Sequence, residues 1–114
     1  MPHCIVEYSR SIEPRVSASE LMTAVYNSTL QSGLFEESHI RVRAMAYDYF
    51  QLGGQSAAFI HITVRLHQGR SSEQKKQLSD MVLAGLLALE LTAVSLTVET
   101  VEMHTESYAR RVVS

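Results

Sequence analysis

Cys4 is the only cysteine, so the chain forms no internal disulfide and offers no cluster of thiolates to a metal. Charge of one sign is also missing: ten lysines and arginines against twelve aspartates and glutamates leave a net charge of −2, too weak a field to select a nucleic acid or an anionic membrane. Neither partner is expected. Long hydrophobic runs are absent as well, since the richest stretch, from Met81 to Val98, is interrupted by Gly85, Glu90, Thr92 and Ser95 and does not read as a membrane span. The first residues lack the charged-then-apolar order of a secretion signal, because Glu7 and Arg10 interrupt it, and the cytoplasm is the expected compartment. With 114 residues the chain should make one domain, 1–114, with a modest core. That is small for an enclosed active site, so assembly with further copies would help.

What is present is alternation and capping. Pro2 to Ser9 places Cys4, Val6 and Tyr8 on one face and His3, Ile5 and Glu7 on the other, the pattern of a strand. Cys4 on such a face is a small buried apolar residue rather than a nucleophile. After a loop containing Pro14, Ser17-Ala18-Ser19-Glu20 has the order of a capping box, and Leu21, Met22, Val25 and Tyr26 follow at helical spacing until Gly33. Alternation returns from Ile40 to Tyr47, with Arg41, Arg43, Met45 and Tyr47 sharing a face. The turn Gln51-Leu52-Gly53-Gly54-Gln55-Ser56 leads to a third strand, Ala58 to Leu66, with Ala58, Ile60, Ile62, Val64 and Leu66 inward. Ser71-Ser72-Glu73-Gln74 is a second cap, opening a helix with Leu78, Met81, Val82, Leu86 and Leu89 as its stripe, and Val94 to Met103 has the β-branched content of a buried strand.

Strand, helix, strand thus occurs twice, in halves of about 1–50 and 57–104, with Ser17 and Ser71 at equivalent places. The fold class is α+β, built from a duplicated βαβ unit. Each crossover helix makes its two strands parallel, and the central turn joins the halves in one mixed four-stranded sheet with both helices on one face. The other face carries Arg41, Arg43, Phe59, His61, Thr63 and Arg65, a mixture suited to contact with other subunits. Met22, Met81 and Met103 are expected to fill the core. Five histidines (His3, His39, His61, His67 and His104) lack the helical pairing of metal ligands, so hydrogen-bonded structural roles are expected and no metal or other cofactor.

Pro2 gives the first strand its chemical interest. A small residue after the initiator methionine permits its removal, which would leave a secondary amine at the head of a buried strand. An α-amino group titrates near pH ~8, and apolar surroundings or neighbouring cations lower that value, giving a base that is neutral at physiological pH.

Pro2 together with Gly69-Arg70-Ser71-Ser72-Glu73-Gln74-Lys75 resembles the tautomerase superfamily, whose members use an amino-terminal proline as base. The whole chain resembles its two-unit branch, the 5-carboxymethyl-2-hydroxymuconate isomerase family, through Pro2-His3-x-Ile5-Val6-Glu7, Gly33-x-Phe35, Ile40-Arg41-x-Arg43, Ala58-Phe59-x-His61 and Glu102-x-His104. The resemblance implies a homotrimer with sites near subunit contacts, Pro2 as catalytic base, Arg41 and Arg70 as binders of a small carboxylate substrate, and no cofactor. The implied chemistry suits these residue types, because moving a double bond in an enol acid needs a base to relocate a proton and cations to hold carboxylates and the developing enolate. Cys4, Tyr47 and Tyr49 depart from the family pattern, and the tail after His104 shows little match.

Alternative readings weigh differently at each position. Tyr47, Tyr49 and Phe50 suit core or subunit packing, with Tyr49 a candidate for the wall of the substrate pocket. Arg43 suits an ion pair, and the resemblance singles out Arg41 beside it. Two other functions fit the same scaffold: addition of water to an unsaturated acid, as in dehalogenases or hydratases, and a non-catalytic trimeric binding protein.

Overall fold

The computed structural model describes residues 1–114. Its elements are β1 (His3–Ser9), α1 (Ala18–Gln31), β2 (Arg41–Tyr47), β3 (Ala58–His67), α2 (Ser72–Leu87) and β4 (Val94–Met103), with single 3-10 turns at Arg10–Ile12, Glu37–His39 and Thr105–Ser107. Both expected caps are complete. The Ser17 hydroxyl accepts from the Glu20 amide while the Glu20 carboxylate accepts from the Ser17 amide, and Ser71 and Gln74 repeat the exchange. Each box satisfies donors that a helix start otherwise leaves open, worth about 1 kcal/mol.

The sheet runs β2-β1-β3-β4. β1 is parallel to β2 and antiparallel to β3, and β3 is parallel to β4, which is the mixed arrangement that two βαβ units predict. Cys4, Val6 and Tyr8 from β1 and Ile60, Ile62, Val64 and Leu66 from β3 form the buried sheet face, closed by Leu21 and Val25 of α1 and Leu78, Val82 and Leu86 of α2. Cys4 is fully buried beside the Thr29 hydroxyl, and burial pushes its thiol up, away from the reactive thiolate.

Of the three methionines expected in the core, Met103 alone is buried. Met22 lies half-buried one position round α1 from Leu21, where it turns toward Ile40 and Val42 at the sheet edge, and Met81 is half-buried beside Val82. A helix advances about 100° per residue, so the neighbour of a fully buried residue sits at the rim of the stripe. The histidines have local partners: His3 with Tyr108, His61 with Thr97 and Glu99, His67 with Thr105, His104 with Ser107, and His39 with Glu36.

The two helices touch at Gly85. A Cβ built there would stand 2.1 Å from the Ser28 hydroxyl oxygen, which itself donates to the Ala24 carbonyl at 2.8 Å. We expect Gly85→Ala to destabilise by about 1–3 kcal/mol through overpacking, despite a helix propensity gain of about 1 kcal/mol. In a Ser28→Ala background the same change should cost much less. Urea denaturation of the four proteins in this cycle measures both, and an equal cost in the two backgrounds would refute the helix contact as its cause.

Candidate active site

Pro2 lies immediately before β1, buried, at a place where the missing proline N–H costs no ladder bond. Its carbonyl accepts the Arg41 amide at 3.1 Å, extending the β1–β2 ladder one residue toward the terminus. The chain end is therefore paired, not frayed. Arg41 opens β2 opposite His3. Its guanidinium donates to the His39 carbonyl at 3.2 Å and lies 3.0 Å from the Met1 sulfur.

Arg70 reaches the same corner from the other half of the chain. Because β1 and β3 are antiparallel, the end of β3 lies beside the start of β1, and the short link to α2 delivers Arg70 there. Gly69 makes that link with φ of +119°, a conformation that strains any side chain. The Arg70 guanidinium donates to the Leu34 carbonyl at 2.8 Å and stacks over the Phe35 ring with its centre 4.6 Å from the centroid. The Gly33-x-Phe35 segment is thus a seat for Arg70, a role invisible in the sequence because the partners stand 36 residues apart.

With Met1 in place, the free amine is that of Met1 and the Pro2 nitrogen is an amide. The Met1 amine stands in for the terminal amine that a processed chain would carry on Pro2. Burial first, then the charges of Arg70, Arg41 and Arg110, hold its pKa below the usual 8.0. Arg110 is the cation that sequence reasoning missed. It lies in a tail without periodicity, brought back by Tyr108, whose hydroxyl is 2.8 Å from His3 Nε2 and whose ring meets His67 edge-on at 4.8 Å between centroids.

Tyr49 is not part of this corner within one chain. It follows β2 at the end paired with Ser9, six residues or roughly 20 Å along the strand from Arg41, and is 93% exposed. None of the chain's cavities is lined by Pro2, Arg41 or Arg70; the largest, about 570 Å³, runs along α2 beside Lys76, Asp80 and Met81. No group of three or more histidine, cysteine, aspartate or glutamate side chains is placed to hold a metal ion.

Two βαβ units in one sheet, with the amino terminus set among arginines, form the frame of the tautomerase superfamily. A symmetric trimer of fused 4-OT shares this fold, with a TM-score of 0.73 at 21% identity over 90% of this chain and 85% of that one. More specific likenesses accompany it. The family model of 5-carboxymethyl-2-hydroxymuconate isomerase matches residues 2–110, past His104 and through the tail that Tyr108 anchors. The 5-carboxymethyl-2-hydroxymuconate Delta-isomerase of Escherichia coli is 31% identical, covering 91% of this chain and 88% of that protein. The solved 5-carboxymethyl-2-hydroxymuconate isomerase of Deinococcus radiodurans R1 has a TM-score of 0.80 at 27% identity, over 96% of this chain and 88% of that one. The chain belongs to the 5-carboxymethyl-2-hydroxymuconate isomerase family. It is an isomerase of the tautomerase fold.

The amine's environment makes a measurable prediction. Protein that retains Met1 should show an amino-terminal pKa below the ordinary value near ~8, so that its neutral form appears at lower pH. Arg70→Ala should move that pKa back upward. The pH dependence of amine acylation, followed by mass, reads both, and an unshifted amine in the unsubstituted protein would contradict the geometry.

Proposed function

We propose that the chain, once Met1 is removed, is a cofactor-independent isomerase that converts an unsaturated hydroxy or enol acid of the 5-carboxymethyl-2-hydroxymuconate type into its keto isomer, with Pro2 as base and acid. The observation that carries this reading is the amino terminus held at a fixed strand end between Arg41 and Arg70, in surroundings that favour the neutral amine. The neutral secondary amine takes the enol proton, leaving an ammonium group and a conjugated enolate. The same proton then returns to a carbon of the conjugated system, and the amine is restored. Arg41 and Arg70 bind the substrate's carboxylates and stabilise the enolate. Guanidinium suits this work because its planar fork matches a carboxylate and stays charged throughout.

A homotrimer completes the site in this reading. Support comes from the lack of a cavity around Pro2 in one chain and from the exposed apolar group Met45, Tyr49, Phe50 and Leu52 at and beyond the far end of β2. Tyr49 would then wall the pocket of a neighbouring subunit. No helix is long and apolar enough to cross a membrane, and we place the enzyme in the cytoplasm, where a lone buried thiol stays reduced.

The test is the ultraviolet rate of dienol ketonisation by protein whose intact mass shows Met1 to be absent. Pro2→Ala should lower kcat/KM by about a hundredfold, the scale of a general base, and protein that retains Met1 should be similarly inactive. Arg41→Ala and Arg70→Ala should mainly raise KM. Arg70→Ala should also shift the acid limb of the kcat/KM profile to higher pH, because losing a cation raises the pKa below which the base is protonated. A Pro2→Ala enzyme of undiminished rate would end the proposal.

A further inference from the structure

One connection in the chain touches both arginines of the amino-terminal corner. It runs from the end of α1 to the start of β2, residues 32–40, and two of its main-chain carbonyls take up guanidinium groups. Leu34 accepts from Arg70 at 2.8 Å, and His39 accepts from Arg41 at 3.2 Å. The connection is itself tied down at several points. Gly33 turns out of α1 with φ of +74°, and the Ser32 hydroxyl donates to the Thr29 carbonyl at 2.6 Å while accepting from the Leu34 amide at 3.3 Å. Further along, the Glu37 carboxylate accepts from the Tyr26 hydroxyl of α1 at 3.1 Å. Leu34 and Phe35 are half-buried against the core, so the Phe35 ring is a fixed surface and not a loop side chain at large.

Arg70 needs such a surface. Its guanidinium ends a long stem with many rotamers, and a fork free to sample them would lose that freedom each time it closed on an anion. The Leu34 carbonyl fixes one amino group, and the Phe35 ring lies against the guanidinium carbon, 4.6 Å from the ring centroid. A carboxylate in the same place would hold the fork as firmly, but it would also neutralise it. A carbonyl and an aromatic face are both uncharged, so they fix the cation and leave its charge and its remaining N–H donors to act on something else.

We propose that Phe35 is a positioning residue of the isomerase, its ring holding the Arg70 guanidinium where it engages the substrate. Phe35 acts through Arg70 and not through a contact of its own with the reacting atoms. The ordering of the fork is done once, when the chain folds, and is not repeated at each binding event. This inference rests on the reading of Arg70 as a substrate-binding residue.

Steady-state ketonisation of 2-hydroxymuconate by protein lacking Met1 is the test. Phe35→Leu keeps an apolar side chain against the core and removes the ring face. It should raise KM about fivefold with kcat within about twofold of wild type, the scale of a partly exposed cation–π contact. Phe35→Tyr should keep the wild-type KM. Pentafluorophenylalanine at position 35 preserves the shape of the ring while reversing the charge of its face, so it should raise KM as Phe35→Leu does, without depending on how well the leucine variant folds. In an Arg70→Ala background Phe35→Leu should add no further rise. A nitrogen-15 spectrum reads the contact apart from turnover: the Arg70 Nε–H resonance should carry the ring-current shift of Phe35 in wild type and lose it in Phe35→Leu. An unchanged KM in the fluorinated and leucine variants overturns the proposal. So does an equal rise with and without the Arg70 side chain, which would make Phe35 a substrate contact or a purely structural residue. Either result, beside a Pro2→Ala enzyme that has lost its rate, leaves the reading of the site standing. A Pro2→Ala enzyme of full rate removes that reading and the proposal with it.

Discussion

The pairing of β1 on both sides is the constraint on which everything else depends. A strand that begins with the third residue of a chain would ordinarily fray, since terminal residues lack neighbours to bury them. Here β2 and β3 flank it, Cys4 and Val6 are fully buried beneath the helices, and the Pro2 carbonyl is held by the Arg41 amide. A terminal amine is the most mobile basic group a protein possesses. Fixing it at the head of a central strand is what the proposed role as a base requires, and the loss of mobility is offset by core burial that the fold requires in any case.

Direction matters as much as position. Parallel pairing within each half sends β2 back to start beside β1, which brings Arg41 to the terminus. Antiparallel pairing between the halves brings the link between β3 and α2 to the same corner, which delivers Arg70. Two arginines separated by most of a βαβ unit converge because of strand polarity alone. The tail adds Arg110 by a different route, through the edge-on contacts of Tyr108 with His3 and His67.

The strands and helices were readable in the sequence because their signals are local. Ser17 with Glu20 and Ser71 with Gln74 exchange bonds over three residues, and the alternation in β1 and β3 states directly which side chains face the helices. Pro2, Arg41 and Arg70 were readable through a family likeness that a chain-wide match bears out, although their roles belong to the proposed mechanism. What could not be read is tertiary. The bond between His3 and Tyr108 spans 105 residues, and nothing in the composition of the last ten residues marks Tyr108 as an anchor. Met22 and Met81 have the right spacing for the core yet sit at its rim, because helix periodicity fixes a stripe but not its width. Tyr49 was chosen by residue type, and strand register, which residue type does not carry, sets it far from the terminus of its own chain.

The duplication has a consequence for stoichiometry. Relating one half to the other by a pseudo-dyad between β1 and β3 carries Pro2 onto Ala57, Arg41 onto Val94 and Arg70 onto Val16, since these residues hold the same places before β3, at the start of β4 and before the cap of α1. The three residues at the second corner are apolar, the neighbouring Arg15 guanidinium is taken up by the Thr92 carbonyl at 2.7 Å, and the Ala57 nitrogen is an amide, donating to the Ala93 carbonyl at 3.2 Å and without basicity. A polypeptide has one amino terminus, so fusing two units silences one corner of every pair. The silent corner is free to drift toward packing, and a symmetric assembly of such chains carries one basic amine per chain where unfused units would carry two.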